Sequence, residues 1–378
     1  MFMDISSELV HSLLPVFMVT VLGASMVTIG VLEGIAEAAA AFTRVFSGAI
    51  SDHYGKRKFF VVLGYGLGAI AKPLFPMAAT IGWVFTGRFL DRIGKGIRGA
   101  PRDALIADIM PPEQLGIAYG LRQALDSVGA FIGPLLALAC MVWLANDITA
   151  VLWVAVVPAF VAVALLITTV REPDRTTPGA SARTPLRLTA ARRLPRRYWL
   201  ITLLGAVLTL ARFSEAFLVL RAQDVGFALG FTPVVMVVMS AVYAAAAYPA
   251  GVLADRFSRR KLLIAGLAVL IAADIVLAAA VSPTHALLGA ALWGLHMALT
   301  QGLLSALVAE TAPAELRGTA FGIFNLFSGG ALLLASGIAG ALWAAFGASA
   351  TFLAGAFFAA AATVGLLVYP AHPQMGKT

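Results

Sequence analysis

Apolar runs of about 20 residues, long enough to cross ~30 Å of hydrocarbon as a helix, follow one another along this chain with only short turns between them. A backbone in hydrocarbon must satisfy its own N–H and C=O groups, so runs of this length cross as helices. Twelve spans are expected, at 3–22, 26–51, 58–79, 81–108, 114–143, 148–170, 198–221, 231–254, 260–281, 285–309, 316–345 and 348–369. Charged residues make up only 12% of the chain, against about 25% in a soluble domain. The expected class is an all-α polytopic membrane protein. The first run lacks a basic leader and carries Asp4 and Glu8, so it reads as a retained span despite the cleavage-like LGAS at 22–25.

The net charge of +8 does not point to nucleic acid, because most of the excess sits in one polar linker, 171–197. There Arg171, Arg175, Arg183, Arg187, Arg192, Arg193, Arg196 and Arg197 face only Glu172 and Asp174, a net +6. Such an excess holds a loop in the cytoplasm. The basic turns at 55–58 and 255–261 fall on the same side, while the turns near Thr80, Asn146, Pro283 and Ser349 are nearly free of Lys and Arg. Both termini are therefore expected in the cytoplasm, with the chain in a bacterial inner membrane. Cys140, the one cysteine, excludes an intrachain disulfide and a thiolate metal cluster.

The chain repeats itself. GAISDHYGKRK at 48–58 matches GVLADRFSRRK at 251–261 with an offset of 203, and DIMPPEQLGIAYG at 108–120 matches ETAPAELRGTAFG at 310–322 with an offset of 202. This divides it into an N-terminal bundle of six spans (1–170), the basic linker (171–197) and a C-terminal bundle of six (198–378), the plan of two-bundle secondary transporters. The turn motif is carried by Gly48, Asp52, Gly55, Lys56 and Arg57, and again by Gly251, Asp255, Arg256, Arg259 and Arg260, with His53 and Ser258 as departures. On these residues the chain resembles the major facilitator superfamily. The resemblance implies a twelve-helix fold and a gate at the basic turns, formed by Asp52, Arg57 and Asp108 in one half and Asp255, Arg259 and Glu310 in the other. GRFLDRIGKG at 87–96 is similar to the family's RxxQGxG pattern, with Arg88 at its arginine, and GAFIGP at 129–134 to the GxxxGP pattern of proton-coupled exporters.

Within GRFLDRIGKGIRGAPRDALIAD, 87–108, the cations Arg88, Arg92, Lys95, Arg98 and Arg102 recur at spacings of four, three, three and four, which puts them on one helix face. At ~1.5 Å per residue, Arg88, Asp91, Arg92 and Lys95 fall ~10–21 Å below the outer end of the fourth span. Lys72, Glu33, Glu37, Arg122 and Asp126 lie at similar depth. Ionisable groups there survive when they face a protein interior or a watery cavity, and they mark a substrate or ion path. The 202 offset carries Arg92, Lys95, Arg98, Arg102 and Arg122 onto Gly294, Met297, Thr300, Leu304 and Phe324, so the second half is nearly neutral. Fold maintenance would charge both halves alike. The alternative is internal neutralisation, with Asp91 pairing with Arg88 or Lys95 and Asp126 with Arg122, because buried ions need partners.

An excess of Arg and Lys suits an anion, since the guanidinium fork fits carboxylate or phosphate. The candidate substrate residues are Arg88, Arg92, Lys95, Arg98, Lys72, Arg122 and Arg212. The candidate proton sites are Glu33, Glu37, Asp91, Asp126, Asp4 and Glu8. Arg92 and Lys95 are expected to be indispensable, whereas Gly294 and Met297 are expected to accept substitution. The second half adds Arg212 and Glu215, expected to pair, with Asp274, His296, Gln301 and Asn325. Asp4, Glu8 and His11 have spacings compatible with hard-metal ligands, although proton carriage is the favoured role. The stretch FLDRIGKGIRGAPRDALIAD, with DISSE at 4–8 and GVLEGIAEA at 30–38, resembles a bacterial subgroup that includes exporters of iron(III) citrate. The resemblance implies citrate or its iron(III) chelate as cargo, protons as coupling ions, no cofactor and a monomer among membrane lipids.

Competing functions are an importer of organic anions or phosphates, a lipid flippase, a multidrug exporter, and a receptor that transports nothing. Enzymatic chemistry is not expected, because the five histidines are scattered and HExxH, GxSxG and phosphate-loop motifs are absent. SE at 7–8 matches SE at 214–215, which makes the first span two to three turns shorter than the seventh. The natural start is then expected upstream of Met1, or the inner end of the first helix is missing.

Overall fold

The computed structural model describes residues 1–54, 56–111, 114–170, 193–300, 303–313 and 316–368, without the side chains of 49, 52, 53, 116, 255, 256, 305, 306, 309, 317 and 318. Among the described residues the spans comprise fifteen α-helices. The N-terminal half holds α1 Phe2–Thr20, α2 Met26–Tyr54, α3 Arg57–Ala71, α4 Ile81–Ile109, α5 Leu115–Trp143, α6 Ile148–Val154 and α7 Val156–Thr169. The C-terminal half holds α8 Arg196–Leu210, α9 Ala216–Asp224, α10 Val234–Arg256, α11 Arg259–Ala278, α12 Pro283–Thr300, α13 Leu303–Thr311, α14 Arg317–Phe346 and α15 Ala348–Val368. The linker between them lies, for 171–192, outside the described residues.

Among the described residues, eight spans are long and apolar enough to cross a membrane by length and composition alone. The fourth falls short because of its charges, the third because its helix has only 15 residues, and the seventh because its helix is interrupted at 211–215. The third span stops at Ala71 and tightens into a 3-10 turn, Lys72–Leu74, where Pro73 and Pro76 cannot donate to a continuing ladder. The seventh, expected as one helix over 198–221, is broken at 211–215. The Ser214 amide freed by that break donates to Ser336 Oγ at 3.2 Å, and the Ala216 amide to Ser214 Oγ at 3.3 Å. Hydroxyls thus replace the helical acceptors that water cannot supply in a bilayer. The sixth span breaks at Ala155, whose carbonyl accepts from Ser6 Oγ at 2.6 Å.

The halves meet through α2 on α14, α1 on α9 and α5 on α10. Small residues let the backbones touch: Gly30 lies against the carbonyl of Ser336, Gly340 against that of Met26, and a Cβ on Gly34 would stand 2.9 Å from the Leu333 oxygen. This is the close-approach logic of small residues one turn apart. At the end away from the basic turns, Asn146 packs against Gly230. Toward the basic end, a cavity of about 270 Å³ opens between α5 and the second half, lined by Gln123, Tyr243, Ala247, Gly251, Leu299 and Leu303. The halves are therefore closed at one end and parted toward the other.

Gly30→Ala is expected to open the closed end, because its methyl would meet a backbone carbonyl that cannot rotate away. Overpacking of about 1–3 kcal/mol shifts a two-state population roughly ten- to a hundredfold. Spin labels on Val21→Cys and Phe346→Cys, in a Cys140→Ser background, would move to longer distances. An unchanged distance distribution would refute a tight seam at Gly30.

Candidate functional site

The charged face of α4 spans about 120° at 100° per residue, running from Arg98 through Asp91, Arg102, Lys95 and Arg88 to Arg92. Such a width reaches more than one neighbour. Arg88, 1% exposed, turns to α2 and forks onto Glu33, with Nε 3.0 Å from Oε1 and a terminal nitrogen 2.7 Å from Oε2. The same terminal nitrogen donates to His11 Nδ1 at 2.9 Å, so the imidazole of this Asp4, Glu8 and His11 set faces a cation. Arg92 Nε lies 3.0 Å from Glu37 Oε1. On the opposite edge Asp91 accepts from Lys72 Nζ at 2.8 Å, and that ammonium also donates to Ser7 Oγ at 3.0 Å.

Two expectations about pairing change here. Asp91 pairs with Lys72 of the 3-10 turn that follows α3, not with Arg88 or Lys95 of its own helix. Same-helix neighbours stand side by side, whereas Lys72 points at Asp91 from across the helix interface. Arg212 and Glu215 form no ion pair within hydrogen-bonding reach among the described residues, because both lie in the break at 211–215 and lose the helical i,i+3 geometry. A third change concerns substitution: Gly294 packs against the Met239 carbonyl, so an added side chain there has no room.

Nearer the basic end, a second network joins α4 to α5. Arg122 lies 3.1 Å from Asp126 and 3.7 Å from Asp103, and Arg102 lies 3.5 Å from Asp126. Asp4 packs on Gly129 of α5 and bonds the Met1 amine at 2.9 Å. Arg98 stacks its guanidinium 4.6 Å from the Tyr65 ring centroid, and one terminal nitrogen is buried without a hydrogen-bond partner. At the basic turns Arg57 pairs with Asp108 at 2.6 Å, and Arg259 pairs with Glu310. Both pairs lie within one half. The side chains of Asp52 and Asp255, the other gate candidates, are outside the described residues.

Among the described residues, Lys95, Glu8, Arg212 and Glu215 remain half-buried with no hydrogen bond or ion pair. Together with Arg98 that leaves three cations against two carboxylates, beside three fully paired sets. One polar contact crosses between the halves nearby, from Ser214 Oγ to Glu33 Oε2 at 3.4 Å. Ser7, Tyr65, Ser214 and Trp293 were not singled out from the sequence. Ser7 and Ser214 have a signal in the SE match at 7–8 and 214–215, and the 202 offset applied to Asp91 lands on Trp293, while nothing in the sequence marks Tyr65.

The comparisons with known proteins agree with this architecture. The model of the Major Facilitator Superfamily matches residues 1–220 and 212–378. An uncharacterised MFS-type transporter of Methanocaldococcus jannaschii is 32% identical over 348 residues, 90% of this chain and 85% of that protein. A multidrug resistance protein, MdtH, of Salmonella newport is 29% identical over 127 residues, 34% of this chain and 31% of that one. The solved structure of a nucleoside transporter, NupG, superposes with a TM-score of 0.79 at 15% identity, covering 97% of this chain and 96% of that one. Two pseudo-equivalent six-span halves, a charged fourth span and a family match along both halves make this chain a member of the Major Facilitator Superfamily.

Proposed function

We propose that this chain is a proton-coupled secondary transporter that exports a small anion by alternating access, with citrate or its iron(III) chelate as the candidate cargo. The observation that carries the reading is the set of cations left without counter-charge. Lys95, Arg98 and Arg212 have no carboxylate partner, while Arg88, Arg92 and Lys72 are occupied by Glu33, Glu37 and Asp91. An anion entering between the halves completes the pairing, and an Arg and Lys cradle takes carboxylates without a protein ligand on the metal. Glu8 and Glu215, also unpartnered, are the carboxylates free to exchange protons, and Asp126, between Arg102 and Arg122, is a further candidate proton site. The pairs Arg57–Asp108 and Arg259–Glu310 act as gate elements. They form within each half in this state, and the reading has them exchange partners when the basic end closes.

With the basic turns in the cytoplasm of a bacterial inner membrane, the conformation described above is inward-facing, ready to load cargo for export. Export is supported by Gly129, Gly133 and Pro134, and by the similarity of one third of the chain to a multidrug resistance protein. A second reading, a carrier of amphipathic drugs, is favoured by the Ala-, Leu- and Tyr-lined cavity at Tyr243 and Ala247.

Calorimetry of citrate, with and without ferric iron, on the purified protein separates these readings. Binding that requires iron supports the chelate, and binding of both forms supports a carboxylate anion. If neither binds while a lipophilic drug does, the anion reading falls and the drug carrier stands.

A further inference from the structure

Contacts within the two halves correspond in register, and the register exposes an unassigned group. Gly64 packs against Arg98 and the carbonyl of Gly94, and Gly266 packs against Thr300 while its carbonyl meets His296 Nδ1 at 2.8 Å. Gly87 packs on Phe75, and Gly289 on Leu277. Helix α3 begins at Arg57 and α11 at Arg259. All of these pairs differ by 202, so the one-residue slip from 203 lies inside the basic turn. In this register Lys72 corresponds to Asp274 and Asp91 to Trp293.

Where the first half holds a buried ion pair, the second holds an acid and an indole. Asp274 is 0% exposed and neither carboxyl oxygen has a hydrogen-bond partner; Trp293 is 1% exposed and its Nε1 is equally unpartnered. They share one packed node. A Cβ on Gly355 would stand 2.7 Å from Asp274 Oδ2 and 3.0 Å from Phe213, whose ring lies 5.5 Å from that of Trp293. Glycine at 355 is what gives the carboxyl its space. None of the charged groups around the node is hydrogen-bonded to its oxygens. His296 of α12 is bonded to the Gly266 carbonyl, and Arg221 of α9 to the carbonyls of Leu277 and Ala280 and to Asp224. His285 of α12 is bonded to Ser282. Arg212 and Glu215 lie in the break, Tyr243 of α10 lines the cavity, and α15 has no titratable residue.

A carboxylate without counter-charge or donor is costly in such surroundings, and a buried polar group left unsatisfied in a native structure calls for a functional reason. We propose that Asp274 is a proton-binding carboxyl of the C-terminal half, and that the indole N–H of Trp293 is the donor that receives its charge when the proton leaves. The break at 211–215 is the mobile wall of the node. Movement of Phe213 with that break brings Asp274 and Trp293 together, as Lys72 and Asp91 already are in the first half, and opens the carboxyl toward the cavity. The use of this proton in transport rests on the proton-coupled reading above; its binding site does not.

Infrared difference spectroscopy on the purified full-length protein, in H₂O and D₂O across a pH series, tests this without cargo. The expected result is a protonated-carboxyl band near neutral pH that is absent in Asp274→Asn. In Trp293→Phe the band should persist to a pH roughly one to two units higher than in wild type, the worth of one hydrogen bond to a charged group. No such band in wild type, or one unchanged in Asp274→Asn, overturns the site. If Asp274→Asn does not fold, Trp293→Phe decides: loss of the band at the wild-type pH overturns the indole's role and with it the proposal. A band that behaves as expected in a protein that binds no citrate sinks the cargo reading alone.

Discussion

Arg88→Ala is expected to be the most destabilising single change on α4, lowering stability by about 3–5 kcal/mol, the cost of removing one partner from a buried ion pair. The reason is what it leaves behind. Glu33 is 1% exposed and takes both of its strong hydrogen bonds from this guanidinium. Without it the carboxylate keeps only a long contact to Ser214 Oγ, and His11 loses the donor to its Nδ1. Against a total of roughly 5–15 kcal/mol, such a loss is visible as early thermal unfolding in detergent. The double variant Arg88→Met with Glu33→Gln should recover much of it, because replacing both charges removes the uncompensated ion. If Arg88→Ala melts with wild type, the pair does not hold α4 to α2 and Arg88 returns to the list of free cations.

Lys95→Ala is expected to do the reverse: it should leave the melting temperature within the small range of surface changes, about ±0.5 kcal/mol, and weaken anion binding roughly ten- to a hundredfold. Lys95 stands two turns along the helix from Arg88 and has no ion-pair partner among the described residues, so its removal orphans nothing. Its pseudo-equivalent, Met297, supplies the control, and Met297→Ala should bind the anion as wild type does. Calorimetry on the three proteins checks this. Equal affinities in wild type and Lys95→Ala would remove the free cation from the binding site and shift attention to Arg98 and Arg212.

Taken together these two variants separate a structural from a functional arginine or lysine on one helix face. The sequence showed the face but not the division. Arg88, Arg92, Lys95, Arg98 and Arg102 share a period, and a period reports direction from the helix axis, not what stands opposite. The partners come from α2, the 3-10 turn after α3, and α5, at sequence separations such as the 55 residues between Glu33 and Arg88, and no local pattern encodes them. Asp91 illustrates the point: its same-helix neighbours are the nearest cations in sequence, yet Lys72 reaches it from the neighbouring helix.

Other features were legible because hydrocarbon permits few alternatives. Run length and the demand for internal backbone hydrogen bonds fix the helical class and, with the repeat, the two six-span halves. The Gly and Asp at fixed offsets in the basic turns carry the family. The interruptions were not legible. The break at 211–215 contains no proline, and it persists because Ser336, far along the chain, accepts the freed amide of Ser214. The same distance in sequence hid Asp274. By itself the sequence determined that the chain crosses the membrane as two related halves with their charge in the first. Tertiary structure alone decided which charges are spent on one another and which are free, because ion pairing depends on close contact between side chains of different helices, and only packing brings those helices together.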